Sequence, residues 1–197
     1  MSSPTWTVTA ATNRRLVRFI VALGAIAACL VLVLPESTAL SSLEIVQLLG
    51  RLTPSAGKSA AVSALPNVVA LFLTLILWIA PLLAIFFIVR HESLDARATH
   101  ARSREPSLLK LVLKSTAASL VLLGLIAFLY LLPGTARADF ALNRGQMFFS
   151  LMVGSRLGLM VLGPLVAMSA FCLWWALLLA LAVTTKCLAA STGDRYE

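Results

Sequence analysis

The sequence predicts an all-α fold: a polytopic integral membrane protein, built as a four-transmembrane-helix bundle with short amphipathic elements in its two outer loops. Apolar residues make up 60% of the 197-residue chain and charged residues only 12%, where a soluble globule carries about 25% charge. Mean hydropathy is +0.95. Four apolar runs, at about 16–34, 65–89, 108–132 and 158–183, can each cross a hydrocarbon core, which takes about 20 helical residues. One transmembrane domain then covers 14–188, between a flexible Ser/Thr-rich tail (1–13) and a C-terminal tail (189–197).

The first run, Leu16–Leu34, follows Arg14 and Arg15 and contains Arg18. Three readings compete for it. A cleavable signal with Ser37, Thr38 and Ala39 as its small-residue site would need an apolar core of about 19 residues, longer than the usual 7–15. A lipoprotein signal ending at "IAAC", Ile26–Cys29, would lead into a polar tether, yet apolar residues follow Cys29. A retained transmembrane helix meets neither objection. Cys172 and Cys187 also fall within or beside apolar runs. Three such thiols with no CxxC pair make neither a disulfide framework nor a metal clamp. They read as small hydrophobes.

Loop 35–64 carries "SSLEIVQLLGRL". Ser41 and Glu44 have capping-box spacing. Ile45, Leu48, Leu49 and Leu52 share one helical face, and Gly50 with Pro54 closes the element. Such a helix lies on the membrane surface or covers the bundle, and its apolar face is a candidate partner-binding surface. In the second span Pro66 suits the first helical turn. Pro81 lies inside the span and frees the carbonyl of Leu77, which a neighbouring helix or water must satisfy. The third span opens with Lys110 and Lys114 on one face, close enough to an end for their ammonium groups to snorkel out. Loop 133–156 contains the semi-apolar "QMFFSLMVG", Gln146–Gly154, in which Met147 and Phe148 are further partner-binding candidates. Gly154 and Gly158 have the GxxxG spacing that lets membrane helices approach closely. Gly163-Pro164 should bend the fourth span, and Trp174 and Trp175 lie in its middle.

Charge sets the expected orientation. The net charge is +8. In an apolar chain this reads as the Lys/Arg excess of cytoplasmic loops rather than as a nucleic-acid surface. Eleven of the sixteen basic residues fall in the N-terminal tail, the 90–114 region and the C-terminal tail. Both termini and the stretch "VRHESLDARATHARSR", Val89–Arg104, are therefore expected in the cytoplasm of a multi-pass bacterial inner-membrane protein. An excess of arginine over lysine fits a GC-rich bacterial genome. The stretch reads as a solvated hairpin loop that fixes topology, with attraction for anionic lipid headgroups. His91 and Asp95 are i, i+4 and would share a metal only on a continuous helix. His100 would sit out of phase and no third ligand is evident, so neither metal nor cofactor is expected.

The central parts of all four runs contain no Asp, Glu, His, Lys or Arg. Ionisable groups that persist in a bilayer usually mark function. Their absence argues against proton-coupled carriers, ion pumps and intramembrane proteases, and no HExxH or His-rich motif is present. No enzyme is expected. Asn67, Thr74 and Pro81 recur every seven residues and form one polar stripe, which faces either another helix or a lumen. The expected work is protein–protein recognition in the bilayer, either as an accessory subunit of a membrane complex or as an immunity protein against a membrane-targeting toxin. In size, helix count and basic charge the chain looks like the immunity proteins of pore-forming bacteriocins, a likeness of architecture carried by no motif. The expected partners are membrane lipids and either the toxin or the subunits. The alternative is a small channel or transporter component with the Asn67–Thr74–Pro81 stripe along its route.

Overall fold

The structure is a computed structural model that describes residues 4–34, 36, 44–105, 107–131 and 151–193. Seven helices are named here: α1 (Pro4–Val33), α2 (Glu44–Arg51), α3 (Pro54–Ala61), α4 (Pro66–His91), α5 (Leu94–Arg104), α6 (Leu108–Leu131) and α7 (Arg156–Gly193). Residues 151–154 are also helical, and no strand occurs among the described residues. Among the described residues, four segments are long and apolar enough to span a membrane: Thr12–Val33, Pro66–His91, Leu108–Leu131 and Arg156–Ser191. The protein is thus a multi-pass, all-α membrane protein.

Two boundaries differ from the sequence expectation. The tail expected to be loose through residue 13 is helical from Pro4. Proline suits a helix start, and neither glycine nor a second proline interrupts the chain before Gly24. Similarly, α7 continues through the expected C-terminal tail to Gly193. Pro164 lies near its start, within an unbroken helix.

Other ends follow local chemistry. Helix α4 begins at Pro66, and the preceding Leu65 N–H donates to the Ser63 hydroxyl at 2.9 Å. Arg90 and His91 occupy its last turn, where cations complement the exposed carbonyls. Glu92 is extended (φ −92°, ψ 131°) and separates α4 from α5. In α5, Asp95 sits in the first turn and Arg102 and Arg104 in the last, matching the helix dipole at both ends. The next residue, Glu105, precedes Pro106 in the sequence and has left the helix, as the proline ring requires.

Helix α7 is the centre of the bundle and packs along α1, α4 and α6. The core where α1, α4 and α7 meet includes Ala27, Val31, Phe72, Leu159 and Ala167. Further along, the rings of Phe19, Phe87 and Phe171 meet with centroids 5.0–6.1 Å apart. Glycine permits two of the close approaches. A Cβ on Gly163 would lie 2.8 Å from the Phe72 ring, and one on Gly24 would lie 2.9 Å from the Met168 sulfur. Lipid tails are as apolar as leucine, so interhelical attraction in a bilayer comes from such tight packing and from hydrogen bonds. Helix α6 is the most open of the spans. Only Leu111 and Ile126 are buried on it. Its hydroxyl contact with α7 joins Ser115 Oγ and Thr184 Oγ1 at 2.5 Å.

Candidate functional site

The α2–α3 hairpin leaves and returns at the end of the bundle where α1 finishes and α4 begins. It does not lie flat across that end. The indole Nε1 of Trp78 donates to the carbonyl of Leu49 at 3.3 Å. Trp78 is twelve residues along α4 from Pro66, which is about 18 Å of helix. A Cβ on Gly50 would lie 3.9 Å from the Thr74 hydroxyl, so the tip of the hairpin runs close against α4. Non-helical backbone at that depth must find its hydrogen bonds within the protein. Here Leu52 N–H donates to Leu48 O at 3.3 Å and Thr53 N–H to Gly50 O at 3.2 Å. The Thr53 hydroxyl donates to Leu49 O at 2.8 Å, and Ala56 N–H donates to Thr53 O at 3.0 Å. Small buried residues on α3, namely Ser55, Ala56, Ser59 and Ala60, allow close packing, and the Ser59 hydroxyl donates back to Ser55 O at 2.6 Å. Ser63 ends the return by donating to Val153 O at 2.6 Å.

The expected recognition face of α2 divides. Leu48 and Leu52 are exposed at 57% and 56%, whereas Leu49 is half-buried and its carbonyl is engaged. The side chain of Ile45, together with Met147 and Phe148, lies outside the described residues. Gly154 and Gly158, expected from their spacing to sit against a helix, have unlike surroundings among the described residues. Nothing lies within 4 Å of a Cβ built on Gly154, whereas one on Gly158 would meet the Leu151 carbonyl oxygen at 1.9 Å. Gly158 therefore serves the tight turn that brings the chain into α7.

All three members of the Asn67–Thr74–Pro81 stripe meet protein. The Asn67 amide donates to Glu36 O at 3.1 Å. Thr74 is 2% exposed beneath the hairpin tip. At the level of Pro81, the Tyr130 hydroxyl of α6 donates to the carbonyl of Leu77. Trp174 of α7 donates to the Tyr130 oxygen at 3.1 Å. Trp78 stands edge-on to the Tyr130 ring at 6.4 Å. The same end is closed by Arg156, which donates to Leu34 O at 2.9 Å and lies 3.5 Å from the Glu36 carboxylate. A cavity of about 130 Å³ lies beside Glu36, Pro66 and Asn67.

The opposite end is a second polar assembly. The stretch read as a solvated loop is instead an ordered helix, α5, lying against the later part of α7. Arg97 forms a two-point ion pair with Glu92 at 2.5 and 3.1 Å, and the Glu92 side chain is 1% exposed. The Arg97 guanidinium also lies 5.8 Å over the Trp175 ring, a favourable cation–π placement. Lys186 pairs with Asp95, Arg102 donates to the Cys187 carbonyl, and the Cys187 thiol donates to Ala98 O at 3.8 Å. Lys114 pairs with Glu105 and holds that carboxyl below its ordinary pKa, chiefly by hydrogen bonding. The break at Glu92 puts His91 and Asp95 on different helices, so their i, i+4 relation does not form. His91 stacks on Phe87 at 5.0 Å.

Sequence reasoning did not find the Glu92–Arg97 pair, the contact glycines Gly24 and Gly163, or the partner of Leu77. Only the last had a signal, since Pro81 marks that carbonyl as needing a donor. Neither a family model, nor a characterised protein, nor a solved structure matches this chain.

Proposed function

We propose that this chain is a non-enzymatic, multi-pass protein of a bacterial inner membrane, with both termini in the cytoplasm, that works by recognising another protein in or beside the bilayer. The observation that carries the reading is the state of its internal polar groups. The Asn67 amide bonds to Glu36 in the α1–α2 connection, Thr74 is buried beneath Gly50, and the Leu77 carbonyl at Pro81 accepts from Tyr130 of α6, so each is covered by this chain itself. The central parts of the four apolar runs contain no Asp, Glu, His, Lys or Arg to perform chemistry or carry a proton. What the bundle offers outward is apolar: Leu48 and Leu52 on the hairpin, and the open side of α6 with Leu120, Val121 and Phe128. A secreted toxin that attacks membranes, or the neighbouring subunits of a membrane complex, would be met by such surfaces.

Purification from mild detergent tests this. Recognition requires a stoichiometric partner that is lost when Leu48 and Leu52 become serine. A partner-free sample that conducts ions in liposomes, and stops when Asn67 and Thr74 become alanine, refutes it. Reporter fusions at residues 40, 98, 140 and 197 test the orientation. They are expected to read outside, inside, outside, inside.

A further inference from the structure

The end of the bundle that carries α5 holds more cations than its ion pairs employ. Its described carboxylates are all engaged: Glu92 with Arg97, Asp95 with Lys186, Glu105 with Lys114. Among the described residues at this end, Arg14, Arg104 and Lys110 are exposed and enter no ion pair, and the same holds for Arg15 and Arg18 of α1 and Arg90 of α4.

Arg15, Arg18 and Arg90 are brought together by the packing beneath them. Phe19 of α1 meets Phe87 of α4 at 5.2 Å. Arg15 lies four residues before Phe19, and Arg90 three residues after Phe87. The two helices run in opposite directions past this contact, so both arginines stand roughly one turn beyond it, at the same level. Arg18 adjoins Phe19. Beside and below the cations lie the half-buried side chains of Leu16, Phe19 and Leu83, which pack over the buried Phe87. Arg15 immediately precedes the apolar run of α1, and Arg90 sits in the last turn of α4. That level is where a hydrocarbon core gives way to headgroups.

We propose that the α1–α4 seam at this end is a binding site for anionic phospholipid, with Arg15, Arg18 and Arg90 holding the phosphate and the half-buried Leu16, Phe19 and Leu83 taking the upper acyl chain. Unpaired guanidinium groups above an apolar surface, at the edge of a membrane span, match an amphiphile with a negative head. Arginine also presents its donors in the forked geometry that suits phosphate oxygens. The site is independent of any protein partner that the exposed leucines engage.

The test uses the full chain in phosphatidylcholine vesicles with and without phosphatidylglycerol, and native mass spectrometry of the lipids retained after extraction. The wild type is expected to retain phosphatidylglycerol over phosphatidylcholine. Each Arg→Gln change should lower that preference about fivefold, so Arg15→Gln/Arg18→Gln/Arg90→Gln should lower it about a hundredfold. The lysine versions should keep most of it. Arg51→Gln/Lys58→Gln, at the hairpin end, should leave it unchanged. Should the triple variant fail to fold, the single variants Arg15→Gln and Arg90→Gln read the fivefold step. Equal retention of the two lipids by the wild type overturns the proposal, as does a preference that survives the glutamine changes. Displacement of the lipid by inorganic phosphate at matching concentration would show a site blind to the acyl chain, and overturns it too.

Discussion

The Tyr130 hydroxyl donates its hydrogen to the carbonyl of Leu77, the group that Pro81, four residues on, cannot reach with an N–H. One helix thereby completes the hydrogen bonding of another at its weakest point, and Trp174 fixes the phenol from a third. Tyr130→Phe should destabilise the bundle by about 1–2 kcal/mol, the cost of leaving a buried carbonyl unpaired. In a Pro81→Ala background the helix supplies its own N–H, and the same change should cost less than half as much. Unfolding in detergent micelles, followed by circular dichroism, completes the double-mutant cycle. Equal losses in both backgrounds would sink the pairing.

Glycine substitutions should rank by what faces them. Gly163→Ala drives a methyl group into the Phe72 ring and should cost about 1–3 kcal/mol by overpacking. Gly24→Ala meets the flexible end of Met168 and should cost less. Gly154→Ala meets open space, so its effect should stay within about 0.5 kcal/mol. Thermal midpoints in one detergent suffice for the ranking.

Arg97→Ala removes the partner of a carboxylate that is 1% exposed. A charge left alone at such a position destabilises by about 3–5 kcal/mol. Arg97→Ala/Glu92→Gln should recover part of that loss. A proteolysis time course on the α5 segment would report it, with fast cleavage for the single change and slower cleavage for the double.

The Glu105–Lys114 pair gives a pH dependence of known sign. Its carboxyl is held below the ordinary value in the folded protein. The contribution of the pair is therefore present above the unfolded pKa and disappears as pH falls through the lowered one. Carbon-13 NMR of labelled glutamate should find the Glu105 midpoint rising toward its ordinary value in Lys114→Ala. Glu105 is a surface group, so global stability should change little.

Much of the fold is legible locally. The apolar runs set α4 and α6 to within a few residues, because Pro66 starts a helix by its own geometry and Pro106 imposes an extended residue before it. The N-terminal helix is less legible. Residues 4–13 are threonine-rich, and that composition reads as a loose tail although nothing after Pro4 breaks a helix. The sites are harder still, since their meaning depends on what lies opposite. Gly154 and Gly158 have the spacing of a contact motif, yet among the described residues nothing stands against Gly154, and Gly158 faces the Leu151 carbonyl of its own turn. Gly163 has no motif, yet it receives Phe72 from a helix far away in sequence. The charged stretch gives its amino acids plainly, but not the break at Glu92. That break turns Arg97 back onto Glu92 and places Asp95 within reach of Lys186. The hairpin is intermediate: its amphipathic face is readable, whereas the Trp78 bond that draws its tip down α4 joins groups 29 residues apart.

Because α7 is the helix on which α1, α4 and α6 all pack, the segment that organises the bundle leaves the ribosome after the three spans it gathers. Until it arrives, the three earlier spans share few contacts. The Leu77 carbonyl has no Trp174-anchored tyrosine, and α5 lacks Lys186 and the Cys187 carbonyl that hold it to α7. Nascent chains truncated before residue 156 should therefore remain loosely associated and exposed to quality-control proteases. Assembly of the four spans should come as one step, when the fourth enters among the others.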